Sequence, residues 1–262
     1  MKNINDITIG IVTFRQRAHL IKNLIEQIRT YVPNEVNIVL AVNGNNEEDM
    51  PESYRKEMLE LSVQYENIYP IICPEFKSLC KLWNTLVIFS KTEYNFIICD
   101  DVNYGNPDAL NIIHNHVRST KDEFFTINNQ FSHFVLTKSI LHKLGYFDER
   151  LSGYGEEDGD IIHRYIKMFG SRMNDIYIKS LVNLAAYDLK NEKIENHIDN
   201  KPRFNREFIL MKYQYDPNGI YGMSPVPVVK VIDDYQQYPY ETFVKNNKHN
   251  IAKFDKVILD EQ

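Results

Sequence analysis

"ITIGIVTF", residues 7–14, is a short β-branched run that ends in a polar turn, and Leu20, Ile21, Leu24, Ile25 and Ile28 follow it at helical spacing. The pair predicts a strand and then an amphipathic helix. The same alternation continues outward. "VNIVLAV" (36–42) predicts a second strand, closed by the Asn- and Gly-rich "NGNNEED". Residues 52–66 predict a helix, "IYPIIC" (68–73) a third strand, 77–90 an apolar-striped helix, and "YNFIIC" (94–99) a fourth strand. Strands that are apolar throughout and alternate with helices indicate a mainly parallel sheet covered on both faces. Such sheets bind ligands beyond the carboxyl ends of their strands. Three stretches therefore stand out: Thr13-Phe14-Arg15, Asn43-Gly44-Asn45 and Asp100-Asp101.

After residue 107 the pattern changes. A helix over about 107–118 leads to "EFFTIN" and "FSHFVLT", two short strands, then to a short helix at 138–144. From about 201 the periodicity fades, and Tyr213, Tyr215, Tyr221, Tyr235, Tyr238 and Tyr240 are interleaved with five prolines. No repeat or low-complexity tract is present. The expectation is one α/β domain over 1–200, with a nucleotide-binding half at about 1–105 and an acceptor half at about 106–200. Residues 201–262 are expected to form a C-terminal appendage, through which the chain could self-associate.

Composition narrows the function. The 262 residues are 43% hydrophobic and 25% charged, which suits a soluble globular protein with a substantial core. A formal net charge of −6 argues against a broad nucleic-acid-binding surface, since phosphate backbones require concentrated Lys and Arg. Cys73, Cys80 and Cys99 lack paired metal-ligand spacing and read as buried thiols in a reducing compartment. "MKNINDITIGIVTF" has no apolar leader, and no segment approaches about 18 uninterrupted apolar residues. The expected location is cytoplasmic, with peripheral attachment at the inner face of the membrane left open.

Two acidic constellations carry chemistry. In "FIICDDVNYGNPDAL", Asp100 and Asp101 sit where an apolar strand ends. Adjacent carboxylates in a partly dehydrated setting repel unless a cation or a hydrogen-bonding network compensates. Hard oxygen ligands suit Mg2+ or Mn2+, but Asp101 and Asn103 could equally cap the turn toward Pro107. "GYGEEDGDIIHR" (153–164) crowds Glu156, Glu157, Asp158 and Asp160 behind a Gly-rich turn. One explanation is a solvated helix start, because acids favour the positive end of the helix macrodipole. The other is a general base, whose proton affinity neighbouring acids would raise.

The order of these features resembles the nucleotide-sugar glycosyltransferases of the GT-A fold, the family 2 group in particular. The resemblance spans about residues 5–170. It is carried by "IGIVTFRQRAHL", "IVLAVNGN", "LWNTLV", "IICDDV" and "LGYFDERLSGYGEEDGDIIHR". The last is also similar to the Gly-aromatic-Gly…Glu-Asp motif of the β-galactosyltransferase type. It implies a Rossmann-like sheet and an inverting transfer of sugar from a nucleoside-diphosphate donor to a hydroxyl of a glycan or lipid-linked glycan, as in bacterial surface polysaccharide synthesis. By that resemblance Thr13, Phe14, Arg15 and Asn43 would line the nucleotide pocket, with Asn84 supporting it and Asp100 beside the ribose or diphosphate. Asp101 would bind Mn2+ or Mg2+, with His197 as an additional ligand. Asp158 would be the base, and Glu157 would hold acceptor hydroxyls. The chain departs from many relatives at Val42, where an Asp contacts uracil, so uridine is not implied.

Trp83 lies among Leu79, Leu82, Leu86 and Val87 at helical spacing and reads as core. His163 and Arg164 read as packing and helix ion pairs as readily as phosphate contacts. Two rivals remain on sequence grounds: a sugar nucleotidyltransferase, which would need an early Gly-rich basic phosphate loop, and a binding module that keeps the fold without turnover.

Overall fold

The computed structural model describes residues 6–14, 17–44, 50–105, 107–151 and 153–184, together with 205, 206, 208, 209, 212 and 213. Its elements run β1 (Ile7–Phe14), α1 (Ala18–Tyr31), β2 (Ile38–Asn43), α2 (Glu52–Gln64), β3 (Ile68–Ile72), α3 (Leu79–Phe89), β4 (Tyr94–Cys99) and β5 (Val102–Tyr104). They continue with α4 (Asp108–Thr120), β6 (Phe124–Ile127), β7 (Gln130–Thr137), α5 (Lys138–Leu144), α6 (Glu157–Phe169), β8 (Asn174–Ile176) and β9 (Leu181–Asn183).

The chain divides into two units. The first comprises Met1–Lys77, Leu82–Ile140 and Asn174–Ile194; the second comprises Ser78–Lys81, Leu141–Met173 and Glu195–Gln262. The boundary thus falls inside α3 and α5.

The first unit holds a seven-stranded sheet in the order β3-β2-β1-β4-β7-β6-β8 and a small β5-β9 pair. β1, β2, β3 and β4 pair in parallel, as do β6 and β8, while β7 runs antiparallel to both β4 and β6. The expected mixed, mainly parallel α/β sheet is therefore present. β1 and β2 are apolar because they are interior strands: every described side chain of β1 and all six of β2 are buried. Ile21, Leu24, Ile25 and Ile28 form the buried stripe of α1, and Ala109, Leu110, Ile113 and Val117 that of α4. Trp83 is buried edge-on to Phe134, with ring centroids 5.2 Å apart.

The topology marks the end of the first unit's sheet at which a ligand would be expected. From β1 the chain winds outward to β2 and β3, then returns to lay β4 on the other side of β1. Reversal of strand order opens a crevice at the carboxyl ends of β1 and β4, the position at which open α/β sheets take their ligands.

The second unit is built on α6, whose Ile161, His163 and Arg164 are buried, with the turns around 145–156 and the described residues of 205–213. β5, β8 and β9 were not expected from sequence. The cysteine expectation needs correction: only Cys80 is buried, while Cys73, just past β3, and Cys99, ending β4, are half-buried. No helix among the described residues is long and apolar enough to cross a membrane.

Candidate functional site

At the crevice between β1 and β4, Thr13 Oγ1 donates to Asp100 Oδ2 at 2.9 Å. Arg17, just before α1, sends a single nitrogen to both acids: Nη1 lies 3.1 Å from Asp100 Oδ1 and 2.9 Å from Asp101 Oδ2. The repulsion expected between adjacent carboxylates is thus offset by a guanidinium. The offset is incomplete, since one positive charge faces two negative ones. Burial pushes the Asp100 carboxyl up to about 7, with the Asp101 charge adding to the rise and Arg17 and Thr13 opposing it. Burial alone would weaken the Arg17 charge, but the two carboxylates raise its pKa.

Asp101 is held from behind. The Leu184 N–H, just past β9, donates to its carbonyl at 2.7 Å. Its Oδ1 is buried with no hydrogen-bond partner among the described residues. A buried, unbonded carboxylate oxygen is costly for folding alone, and a hard divalent cation would satisfy it. The donor set therefore fits Mg2+ or Mn2+, which take one or two carboxylates and fill the remaining positions with water and phosphate oxygens. No group of three or more His, Cys, Asp or Glu side chains among the described residues forms a complete cage.

Asn43 is engaged with backbone through both ends of its carboxamide. Its Nδ2 donates to the Lys77 carbonyl at 2.9 Å and its Oδ1 accepts the Lys77 N–H at 2.8 Å, so the carboxamide staples the end of β2 to the segment before α3. A Cβ at the next residue, Gly44, would collide with the Pro74 carbonyl oxygen. Asn43 thus shapes this edge of the crevice through the backbone. Phe14 closes β1 and Asn84 is fully buried on α3. Arg15 and His197 lie outside the described residues.

In the second unit the acidic stretch is a helix start, with Glu157, Asp158 and Asp160 in the first turn of α6. The four acids have separate fates. Asp160 is wholly buried: Arg164 grips its Oδ2 from Nε at 2.9 Å and Nη2 at 2.5 Å, while the Tyr213 hydroxyl donates to Oδ1 at 2.5 Å and Lys212 pairs with the same oxygen. Lys212 also reaches Asp148, which Arg150 clasps with two nitrogens at 2.8 and 2.5 Å. Burial alone would raise both aspartates, but the cations around them hold their carboxyls below the usual range. Arg164, read as either packing or a phosphate contact, is a buried helix ion pair that also donates to the Leu144 carbonyl.

Asp158 and Glu157 stay clear of that network. Asp158 Oδ1 accepts the Gly159 N–H at 2.8 Å. Glu157 is pushed up to about 7, chiefly by burial, with the charges of Asp158 and Glu156 as lesser contributions. Crowding therefore contributes at Glu157 but is not the main cause. Glu156 has left-handed backbone at φ 70°, directly after Gly155 at φ 106°, where glycine is the natural occupant. Its Oε1 faces Arg206 at 3.4 Å and its Oε2 is buried without a hydrogen-bond partner among the described residues. Asn205 braces the same turn, donating to the Tyr154 and Gly155 carbonyls at 3.3 and 2.8 Å, and the Leu79 N–H of α3 donates to the Gly153 carbonyl at 2.7 Å.

Sequence reading missed Arg17, Asp148, Lys212 and Tyr213. Arg17 carried a usable signal, a basic residue between a strand end and a helix start. Lys212 and Tyr213 carried none, because their partners are fifty or more residues away.

No family model matches this chain, and no curated protein does. Solved structures share its fold. S. aureus TarS 1–349 is 12% identical with a TM-score of 0.52, over 67% of this chain and 59% of that one. Its complex with UDP is 13% identical with a TM-score of 0.53, over 81% and 73%. The mannosyltransferase PcManGT from Pyrobaculum calidifontis, in complex with GDP-Man and Mn2+, is 13% identical with a TM-score of 0.51, over 66% and 54%. In the first and third of these matches the chain spans less than two thirds of the neighbour's length. What it shares with these proteins is the fold: a central, mostly parallel sheet flanked by helices.

Proposed function

We propose that the chain is a glycosyltransferase that binds a nucleoside-diphosphate sugar with its first unit and moves the sugar, with inversion, to a hydroxyl of a glycan or lipid-linked glycan. The observation that carries this reading is the Asp100–Asp101 pair at the strand-order reversal, with Thr13 and Arg17 on it and one buried oxygen left unbonded among the described residues. The fold shared with structures bound to UDP-GlcNAc and to GDP-Man with Mn2+ supports it.

Asp100 and Asp101 would hold a Mn2+ or Mg2+ ion, with His197 as a further ligand. Such an ion, when bound, stabilises the negative charge of the departing diphosphate. Thr13 keeps the Asp100 carboxylate aimed, and Phe14 and Arg15 continue the nucleotide side. Asn43 fixes the loop beside it through Lys77. Asn84 supports the first unit from α3.

A proton acceptor is needed as well. An acceptor hydroxyl has a pKa far above neutral, so its attack on the anomeric carbon needs a carboxylate to take the proton as the bond forms. Asp158 has that role and Glu157 holds acceptor hydroxyls. A single displacement with one base inverts the anomeric centre. Calorimetric titration with UDP- and GDP-sugars in Mn2+, followed by analysis of products formed on glycan acceptors, tests the reading. Donor binding without any product would favour a binding module, and release of a nucleoside triphosphate from pyrophosphate and sugar nucleotide would favour a nucleotidyltransferase.

A further inference from the structure

The guanidinium at the acid pair is placed to do more than hold the fold. One nitrogen of Arg17 serves both carboxylates, leaving a net negative charge and a buried Asp101 oxygen without a partner among the described residues. Asp100 is also gripped by Thr13, so it keeps its orientation whether or not Arg17 stays. Arg17 precedes the first turn of α1, and its side chain is 18% exposed, so it can leave by rotation without unwinding a helix. A cation at a helix N-terminus opposes the macrodipole, and only nearby negative charge makes the position favourable. If the aspartates were neutralised by another cation, the same helix end and guanidinium would attract an anion such as a diphosphate.

We propose that Arg17 is an exchangeable counterion: it neutralises Asp100 and Asp101 while no divalent cation is bound, yields them when one binds, and then turns to the donor's diphosphate. The inference rests on the glycosyltransferase reading above. Its consequence is that the resting chain competes with its own metal, so that cation and diphosphate favour each other's binding. The guanidinium is displaced because a divalent ion carries enough charge to balance both carboxylates and repels a second positive group at close range.

The test uses the full chain, Mn2+ alone and no nucleotide, with free Mn2+ read by electron paramagnetic resonance. Arg17→Met removes the competitor, and Mn2+ affinity is expected to rise about tenfold or more; adding Asp101→Asn to that variant should abolish the gain. Unchanged or weaker Mn2+ binding by Arg17→Met overturns the inference while leaving the cation site intact. Absence of Mn2+ binding by either protein overturns the cation reading itself. Should the variant not fold, the wild-type chain still decides the matter through phenylglyoxal labelling of Arg17, located by peptide fragmentation. Labelling should quicken when Mn2+ is added and slow again when UDP or GDP follows. A rate indifferent to Mn2+ overturns the exchange.

Discussion

Lys212 and Asp148, sixty-four residues apart, form a buried ion pair in which Nζ lies 2.8 Å from Oδ2. Around it stand three cations, Lys212, Arg150 and Arg164, and two anions, Asp148 and Asp160. Removing a cation and removing an anion should therefore differ. Lys212→Met leaves the two Arg–Asp pairs balanced and, with its hydrogen bonding to charged groups lost, is expected to cost about 1.5–3 kcal/mol in all. Asp160→Asn leaves three positive charges against one and is expected to cost more, about 3–5 kcal/mol. Urea unfolding of both variants ranks them, and a chain ending at residue 200, which lacks Lys212 altogether, should melt well below the full chain.

Glu157 sets a pH dependence. In the folded chain its carboxyl titrates at about 7, whereas an unfolded Glu ionises near about 4.3. Between those values the folded protein keeps a proton that the unfolded chain has released. Its contribution to stability is therefore full below about 4.3 and is lost as the pH climbs through about 7. Urea midpoints from pH 4 to 8 should fall less steeply for Glu157→Gln than for wild type; parallel curves would place the ionisation elsewhere.

Asp158→Asn keeps the bond from the Gly159 N–H but cannot accept a proton. Turnover should drop about 10²–10⁴-fold while donor affinity barely moves. If the stretch served only as a helix start, the change would cost at most about 1 kcal/mol of stability and leave transfer intact. Rate assays on a variant shown by calorimetry to bind donor separate the two.

Asp101→Ala removes the carboxylate with an oxygen unbonded among the described residues. Donor affinity in Mn2+ should weaken by about 10- to 100-fold, the worth of one charged contact, and wild type in chelator should behave alike. Wild-type affinity that ignores chelator would count against a metal at this pair.

Much of the first unit was legible because its strands are interior and its helices amphipathic, so burial writes a periodic pattern. "ITIGIVTF" and "YNFIIC" became β1 and β4 as read, and the short helix at 138–144 matches α5. β5, β8 and β9, three residues each, are too short to show a period, and long-range pairing makes them. The acid pair was visible as chemistry at a strand end, but its partner Arg17 is fixed by tertiary geometry. Asp160 looked like its neighbours in "GEEDGD" and differs only because Arg164, Lys212 and Tyr213 converge on it. Lys212 and Tyr213 were read into an appendage because irregular spacing hides a contact made across fifty residues.

The left-handed backbone at Glu156 sets two kinds of selection against each other. A glycine would take φ 70° without the roughly 1–2 kcal/mol that a side chain costs there, and the exposed Arg206 partner returns little of it. In a mutant library sorted by heat tolerance, Glu156→Gly should accumulate; sorted by sugar transfer, it should vanish. Divergence at one codon between the two sorts would mark it as a position held by selection for activity against the preference of the fold.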